Sequence, residues 1–247
     1  MAQTYKTEGI VLSRRPYKNN DKLVRVFTRD YGKLTTRAIS ARKITSKLSG
    51  HLEPFIRADF HIARSKTIDI IAGSNTVDAH TTLRTSLQHT AMAGFFAEII
   101  DQFTHTHHVE AALYDHMQQF YRWLNEHDAH LLVLYAAVMQ LYAHVGFHLE
   151  WYQCHSCKQS ISPIENKFHY ALWNIECGNC SSTEETMPLS VSAIKALRFL
   201  TEEPFDRVGK LHIPEEVWKE VHICIDSLLQ YHIDKPLRSQ KLLFDVL

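Results

Sequence analysis

At 247 residues and 45% hydrophobic content, the chain can bury one large core or two ordinary ones, which excludes a disordered or linker protein. Eight glycines and seven prolines exclude a low-complexity tract, and no fixed period suggests a solenoid. The formal charge is zero, yet residues 1–66 hold 15 Lys and Arg against 5 Asp and Glu, while residues 67–247 hold 12 against 22. A basic module joined to an acidic one can hold a polyanion on one side while the other repels it or meets a protein.

Met1-Ala2-Gln3-Thr4-Tyr5-Lys6 lacks the apolar run of a signal peptide. No segment approaches the roughly 18 uncharged apolar residues of a membrane span. The expectation is a cytoplasmic chain with no membrane partner.

The first 78 residues read as short strands between turns. Phe55 to Ala63 alternates cleanly, with Ile56, Ala58, Phe60 and Ile62 on one face and Arg57, Asp59 and His61 on the other. Further strands are predicted over Thr7 to Leu12, Lys22 to Thr28, Leu34 to Ala41 and Thr67 to Ala72, with turns at Lys18-Asn19-Asn20-Asp21, Asp30-Tyr31-Gly32 and Gly73-Ser74-Asn75. Five strands suit a small closed barrel, of OB or SH3-like type.

From Thr81 the apolar spacing becomes helical: Met92, Phe95, Phe96, Ile99, Ile100 and Phe103; then Leu113, Tyr114, Met117, Phe120, Tyr121 and Leu124; then Leu131, Leu134, Tyr135, Val138, Leu141, Tyr142 and Val145. Ser190 can cap a helix carrying Ile194, Leu197 and Leu200, and Pro214 suits the first turn of another through Leu228. The tail after Pro236 has no clear type.

Cys154-x-x-Cys157 and Cys177-x-x-Cys180 carry the most specific spacing in the chain. Each pair can form a knuckle whose two thiolates converge on one ion, and two knuckles complete a tetrahedral shell. The expected cofactor is one structural Zn²⁺, because four thiolates leave no open position for catalysis; spacing alone leaves iron open. Cytoplasmic location disfavours disulfides, and the flanking helices lack the βαβ setting of a thioredoxin-like dithiol. Gly178 would ease the second knuckle. Cys224, among Val221, Ile223 and Ile225, reads as core.

The positive residues Arg14, Arg15, Lys18, Arg25, Arg29, Lys33, Arg37, Arg42, Lys43 and Lys47 cluster at turns and strand ends, where phosphates are reachable. Ser40 to Lys47 combines cations with short hydroxyl donors and no acid, the chemistry that grips a backbone without reading bases. Tyr17 and Tyr31, beside predicted turns, are the candidates for base stacking. His105, His107 and His108 share a predicted loop and receive no role.

Arg15-Pro16-Tyr17-Lys18-Asn19-Asn20-Asp21-Lys22-Leu23-Val24-Arg25-Val26-Phe27-Thr28, Tyr31-Gly32-Lys33, Ala41-Arg42-Lys43 and Ser46 to Phe55 together resemble the RecO family of bacterial recombination mediators. The resemblance continues through the helices, the cysteine pairs and the end Lys235 to Leu243. It implies an α+β, multi-domain protein: an OB-fold nucleic-acid-binding domain over 1–80, then a helical domain over 81–247 with an inserted zinc-binding segment at about 150–186. It further implies binding to single- and double-stranded DNA, annealing of complementary strands, and work with RecR and SSB to help load RecA on gapped DNA, in the bacterial cytoplasm at the nucleoid. Lys43-Ile44-Thr45 departs from the family by placing an isoleucine in a loop that is often more basic.

No Gly-rich phosphate loop and no His-Glu-x-x-His helix occurs, and the cysteine pairs lack the His-x-Glu partner of a zinc deaminase, so no enzyme and no small-molecule substrate is expected. Glu184-Glu185, Glu202-Glu203 and Glu215-Glu216 read as helix-start or solvated acids. The rivals are a zinc-ribbon transcription regulator and a protein scaffold without DNA. Residues 150–186 oppose the regulator, with Lys158 and Lys167 against Glu150, Glu165, Glu176, Glu184 and Glu185.

Overall fold

Strict alternation produces the strand that the pattern predicts best. In the computed structural model, β4 (Arg57–Ala63) buries Ala58, Phe60 and Ile62, with Ile56 just before it, each at most 2% exposed, while Asp59 and His61 face solvent. The structure describes residues 3–147, 149–163, 165–180, 185–233 and 236–246; Glu184 and Lys235, singled out above, lie outside them. Two compact units result, residues 1–129 with 237–247 and residues 130–236.

The first unit is built on β1 (Thr4–Tyr17), β2 (Asp21–Thr28), β3 (Gly32–Ala38), β4 and β5 (Ile70–Asp78), closed in the order β1-β2-β3-β5-β4. This is the five-stranded OB-type barrel. Neighbours are antiparallel except β3 and β5, which meet in parallel at Arg37 and Ile70. Val11, Val24, Val26, Leu34, Phe60 and Ile62 fill its core. Its long β1 serves two partners because a register shift between Val11 and Ser13 bends it from β4 toward β2.

Several strand limits differ from the sequence reading, most of all at β1, which runs Thr4–Tyr17 against the expected Thr7 to Leu12, and at β5, which runs Ile70–Asp78 against Thr67 to Ala72. Gly73-Ser74-Asn75, expected as a turn, lies inside β5, paired with His61, Phe60 and Asp59. A register irregularity between His61 and Ile62 absorbs these weak strand formers. The third strand stops at Ala38, although Ala41 stays buried in the loop that follows.

Helices α1 (Thr81–Thr85), α2 (Leu87–Phe103) and α3 (Ala111–Glu126) pack with the barrel in the same unit. Phe27 meets the Tyr114 ring at 5.8 Å, and the Tyr114 hydroxyl donates to Glu8 Oε1 at 3.0 Å. Buried His80 joins the layers: Nδ1 lies 2.7 Å from Phe55 O, and its ring meets Tyr121 edge-on. The tail after Pro236 is helix α8 (Arg238–Val246), seated on α2. Glu98 of α2 accepts the N–H groups of Arg238 at 3.0 Å and Ser239 at 2.9 Å, satisfying two donors of the first turn.

In the second unit, α4 (Leu131–His144) is buried from Leu132 through Met139, so it forms the centre. Around it lie α5 (Val191–Glu202), α6 (Phe205–Val208) and α7 (Glu215–His232). Ser190 caps α5, its hydroxyl accepting from Ala193 N–H at 3.1 Å. Pro214 stands at the cap of α7 instead of inside its first turn, which Glu215 and Glu216 occupy. A three-stranded antiparallel ribbon, β6 (Asn166–His169), β7 (Asn174–Cys177) and β8 (Thr186–Leu189), completes the unit in the order β7-β6-β8. Among the described residues no helix is long and apolar enough to cross a membrane.

Candidate nucleic-acid interface and metal centre

Backbone bonds tie the β1–β2 turn to the loop after β3. Arg42 donates its N–H to Asn20 O at 2.9 Å and its guanidinium to Asn19 O at 3.2 Å. Ser40, in the left-handed region at φ 54, donates its N–H to Asp21 Oδ1 at 2.8 Å. Arg37 grips Asp21 Oδ2 through Nε and Nη2, both at 2.6 Å. The Ser40 amide first, and Arg37 after it, hold the Asp21 carboxyl below its ordinary range against the opposing effect of burial.

Arg15, Lys18, Arg42 and Lys43 are exposed near this junction and form no ion pair among the described residues. Lys47, also exposed, lines a groove of about 910 Å³ shared with Lys6, Asp59, His61 and Asn75.

The other predicted cations have acidic partners within the same unit. Arg25 and Lys33 both pair with Asp101 of α2, the latter at 3.1 Å, and Lys33 is only 9% exposed. Arg29 makes two bonds of 3.0 Å to Asp115 of α3. Arg14 pairs with Glu53. The pairs of Arg25, Arg29 and Lys33 join barrel to helix, and the sequence hid them because their acids lie 68 to 86 positions away.

Tyr17 is half-buried between the cations of Lys18 and Arg37, 5.5 and 5.8 Å from its ring centre. Tyr31 packs on Tyr5, ring centres 4.4 Å apart, and against the barrel core. With Arg64, Asp69 and His107 these two tyrosines line a cavity of about 290 Å³.

Gly32 explains the seat of the histidine loop. At φ +66 it faces His108, whose carbonyl oxygen would lie 1.9 Å from an added Cβ. His107 N–H donates to Lys33 O at 3.0 Å, and His108 approaches Glu110 at 3.8 Å. Among the described residues, the one cluster arranged to take a metal ion is the cysteine tetrad.

In the second unit, Cys154, Cys157, Cys177 and Cys180 place their four sulfurs within 4.8 Å of one another. Three separations are 3.9, 3.7 and 3.7 Å. A tetrahedral ion with metal–sulfur bonds of ~2.3 Å requires sulfur edges of about 3.8 Å, so the donor set fits one ion. It does not fit disulfides, whose sulfurs stand about 2.05 Å apart. Burial raises the Cys154 thiol, but N–H groups of Cys157, Cys177 and Ser156 outweigh it and bring the pKa to about 6. Cys177 N–H lies 3.3 Å from that sulfur. Cys180 is pushed up to about 12, chiefly by sharing a proton with Cys177. Four thiols this close resist losing their protons together unless a cation replaces those protons.

Gly178 serves the second knuckle through clearance instead of backbone freedom, since an added Cβ would stand 2.6 Å from Glu165 O. Ser156 Oγ donates to buried Glu176 at 2.8 Å, bracing the first knuckle on β7. Cys224 is 3% exposed and burial raises its thiol pKa, consistent with a core position.

Two family models divide the chain. Residues 1–80 match that described as Recombination protein O N terminal, and residues 84–241 match Recombination protein O C terminal. The chain is 30% identical over 231 residues to a protein named DNA repair protein RecO from Dehalococcoides mccartyi, covering 94% of this chain and 91% of the relative. Proteins of the same name from Bacillus pumilus and Roseiflexus sp. are 28% and 27% identical, covering 96% and 99% of this chain and 92% and 86% of the relatives.

Proposed function

Since the chain belongs to the Recombination protein O (RecO) family of DNA repair proteins, we propose that it binds single- and double-stranded DNA through its amino-terminal domain, residues 1–80, anneals complementary strands, and acts with RecR and SSB to help load RecA on gapped DNA. The observation that carries this reading is the group of exposed cations without carboxylate partners among the described residues: Arg15 near the end of β1, and Lys18, Arg42, Lys43 and Lys47 on the braced turn and loop. Phosphates meet such charges with little reorganisation, and hydroxyl and amide donors on the same loop add contacts that carry no base information. Arg14 and Arg37 share their charge with Glu53 and Asp21, and Arg25, Arg29 and Lys33 dock the barrel on its helices, so their share of DNA binding is smaller. Tyr17, flanked by two cations, is the better placed of the two stacking candidates.

The tetrad Cys154, Cys157, Cys177 and Cys180 holds one Zn²⁺, which when bound supplies a structural cross-link with no open coordination position. The chain's own groups prepare that site: amides lower the Cys154 pKa, and Ser156 ties its knuckle to β7. The acidic, mainly helical residues after 80, including the zinc-binding segment, carry the contact with SSB. The protein works in the bacterial cytoplasm at the nucleoid, as a mediator and not an enzyme.

The test is annealing of two complementary oligonucleotides, each coated with SSB, with and without the intact protein. Faster duplex formation is expected. Failure to bind either naked strand at low salt would replace this reading with the protein scaffold.

A further inference from the structure

Ile44 is the most exposed large apolar side chain among the described residues, with a relative accessibility of 104% against 65% for Tyr231, the next. Its loop is not slack. Buried Ala41 and half-buried Leu48 anchor the loop to the barrel core. Between them, Lys43 N–H donates to Ser40 O and Ser46 N–H to Lys43 O, each at 3.0 Å, and Arg42 is held to the β1–β2 turn. The isoleucine therefore projects from a fixed turn, with Arg42 and Lys43 on one side and Lys47 on the other.

An aliphatic side chain adds nothing to phosphate contact, and the other exposed large apolar side chains among the described residues are only 41–65% exposed. A stiff β-branched group held at the crest of a cationic loop has one use that its neighbours lack: it can enter an apolar gap that opens only when a nucleic acid is gripped. The gap between stacked bases is such a place, and entry needs no hydrogen bond and so no particular base.

We infer that Ile44 is a wedge that inserts between neighbouring bases of the strand held by Arg42, Lys43 and Lys47 and unstacks that step. The inference rests on the DNA-binding reading of this loop. Unstacked bases lie open on their pairing edges, which suits a protein that brings complementary strands together.

The experiment uses an oligonucleotide carrying 2-aminopurine within an adenine run, because this base fluoresces more strongly when unstacked. Binding by the intact protein should raise the emission severalfold at saturation. Ile44→Ala should keep the salt dependence of binding, lose most of the emission rise, and bind roughly tenfold more weakly through lost apolar burial. Ile44→Phe should retain the rise. The melting temperature of both variants should be unchanged, since the side chain touches no core residue. Bound oligonucleotide without an emission rise, or a rise that persists in Ile44→Ala, overturns the wedge while leaving DNA binding intact. No binding at all overturns the DNA reading and the wedge with it.

Discussion

Replacing Arg42, Lys43 and Lys47 together by alanine separates the free cations from those already engaged. If Arg15, Lys18, Arg42, Lys43 and Lys47 each neutralise one phosphate of a single strand, log Kd should change with log salt at a slope of about 3.5, since each contact releases about 0.7 counterion. Going from 50 to 200 mM salt should then weaken the intact protein by about 130-fold and the triple variant, with a slope of about 1.4, by only about sevenfold. Arg29→Ala provides the opposing control, because its guanidinium is spent on Asp115 through two bonds of 3.0 Å. That variant should keep the full slope. The assay is fluorescence anisotropy of a labelled, structureless oligonucleotide at four salt concentrations, with circular dichroism to confirm folding. A full slope in the triple variant, or a slope lost equally in Arg29→Ala, would refute the division of charges.

Chelation should release one Zn²⁺ per chain and expose four reactive thiols, with Cys224 unreactive until the chain unfolds; metal analysis and thiol titration check this, and bound iron would correct the identity of the ion. Cys177→Ser should lower the melting temperature while leaving the salt slope of DNA binding unchanged. Glu98→Ala removes the acceptor for Arg238 and Ser239 and should destabilise the first unit by about 1–2 kcal/mol, lowering its melting temperature by about 2–8 °C. Burial depresses the pKa of His80 below its ordinary 6.5, and nearby Arg57 and Arg122 add to this against the raising effects of Phe55 O and Asp78. The unfolded chain therefore takes up the proton first as pH falls, so His80 contributes stability above about pH 6.5 that declines on acidification below it. Denaturant titrations from pH 7.5 to 5 should show this decline, and it should be smaller in His80→Asn.

The readable parts of the sequence were those governed by local rules. Ile56, Ala58, Phe60 and Ile62 announced a strand because burial on one face imposes a period of two. The cysteines announced a cluster of four converging sulfurs because a knuckle is built from adjacent residues. Gly73-Ser74-Asn75 misled because its composition favours a turn, while pairing across the barrel with β4 decides its conformation. Charge counts located the basic module but could not tell Lys43, which has no ion pair among the described residues, from Lys33, whose partner Asp101 is remote in sequence. Helix α8 was equally hidden, since its first turn is satisfied by Glu98, 140 positions earlier.

That last contact fixes an order of events during synthesis. The chain leaves the first unit after Ala129 and re-enters it at Leu237, so residues 130–236 emerge from the ribosome as one uninterrupted stretch able to close on itself. The barrel and its helices, although begun first, wait for the last segment before α2 is covered. A chain cut after residue 236 would thus carry a complete second unit on a first unit whose apolar α2 surface is bare, a species that chaperones and proteases are suited to recognise.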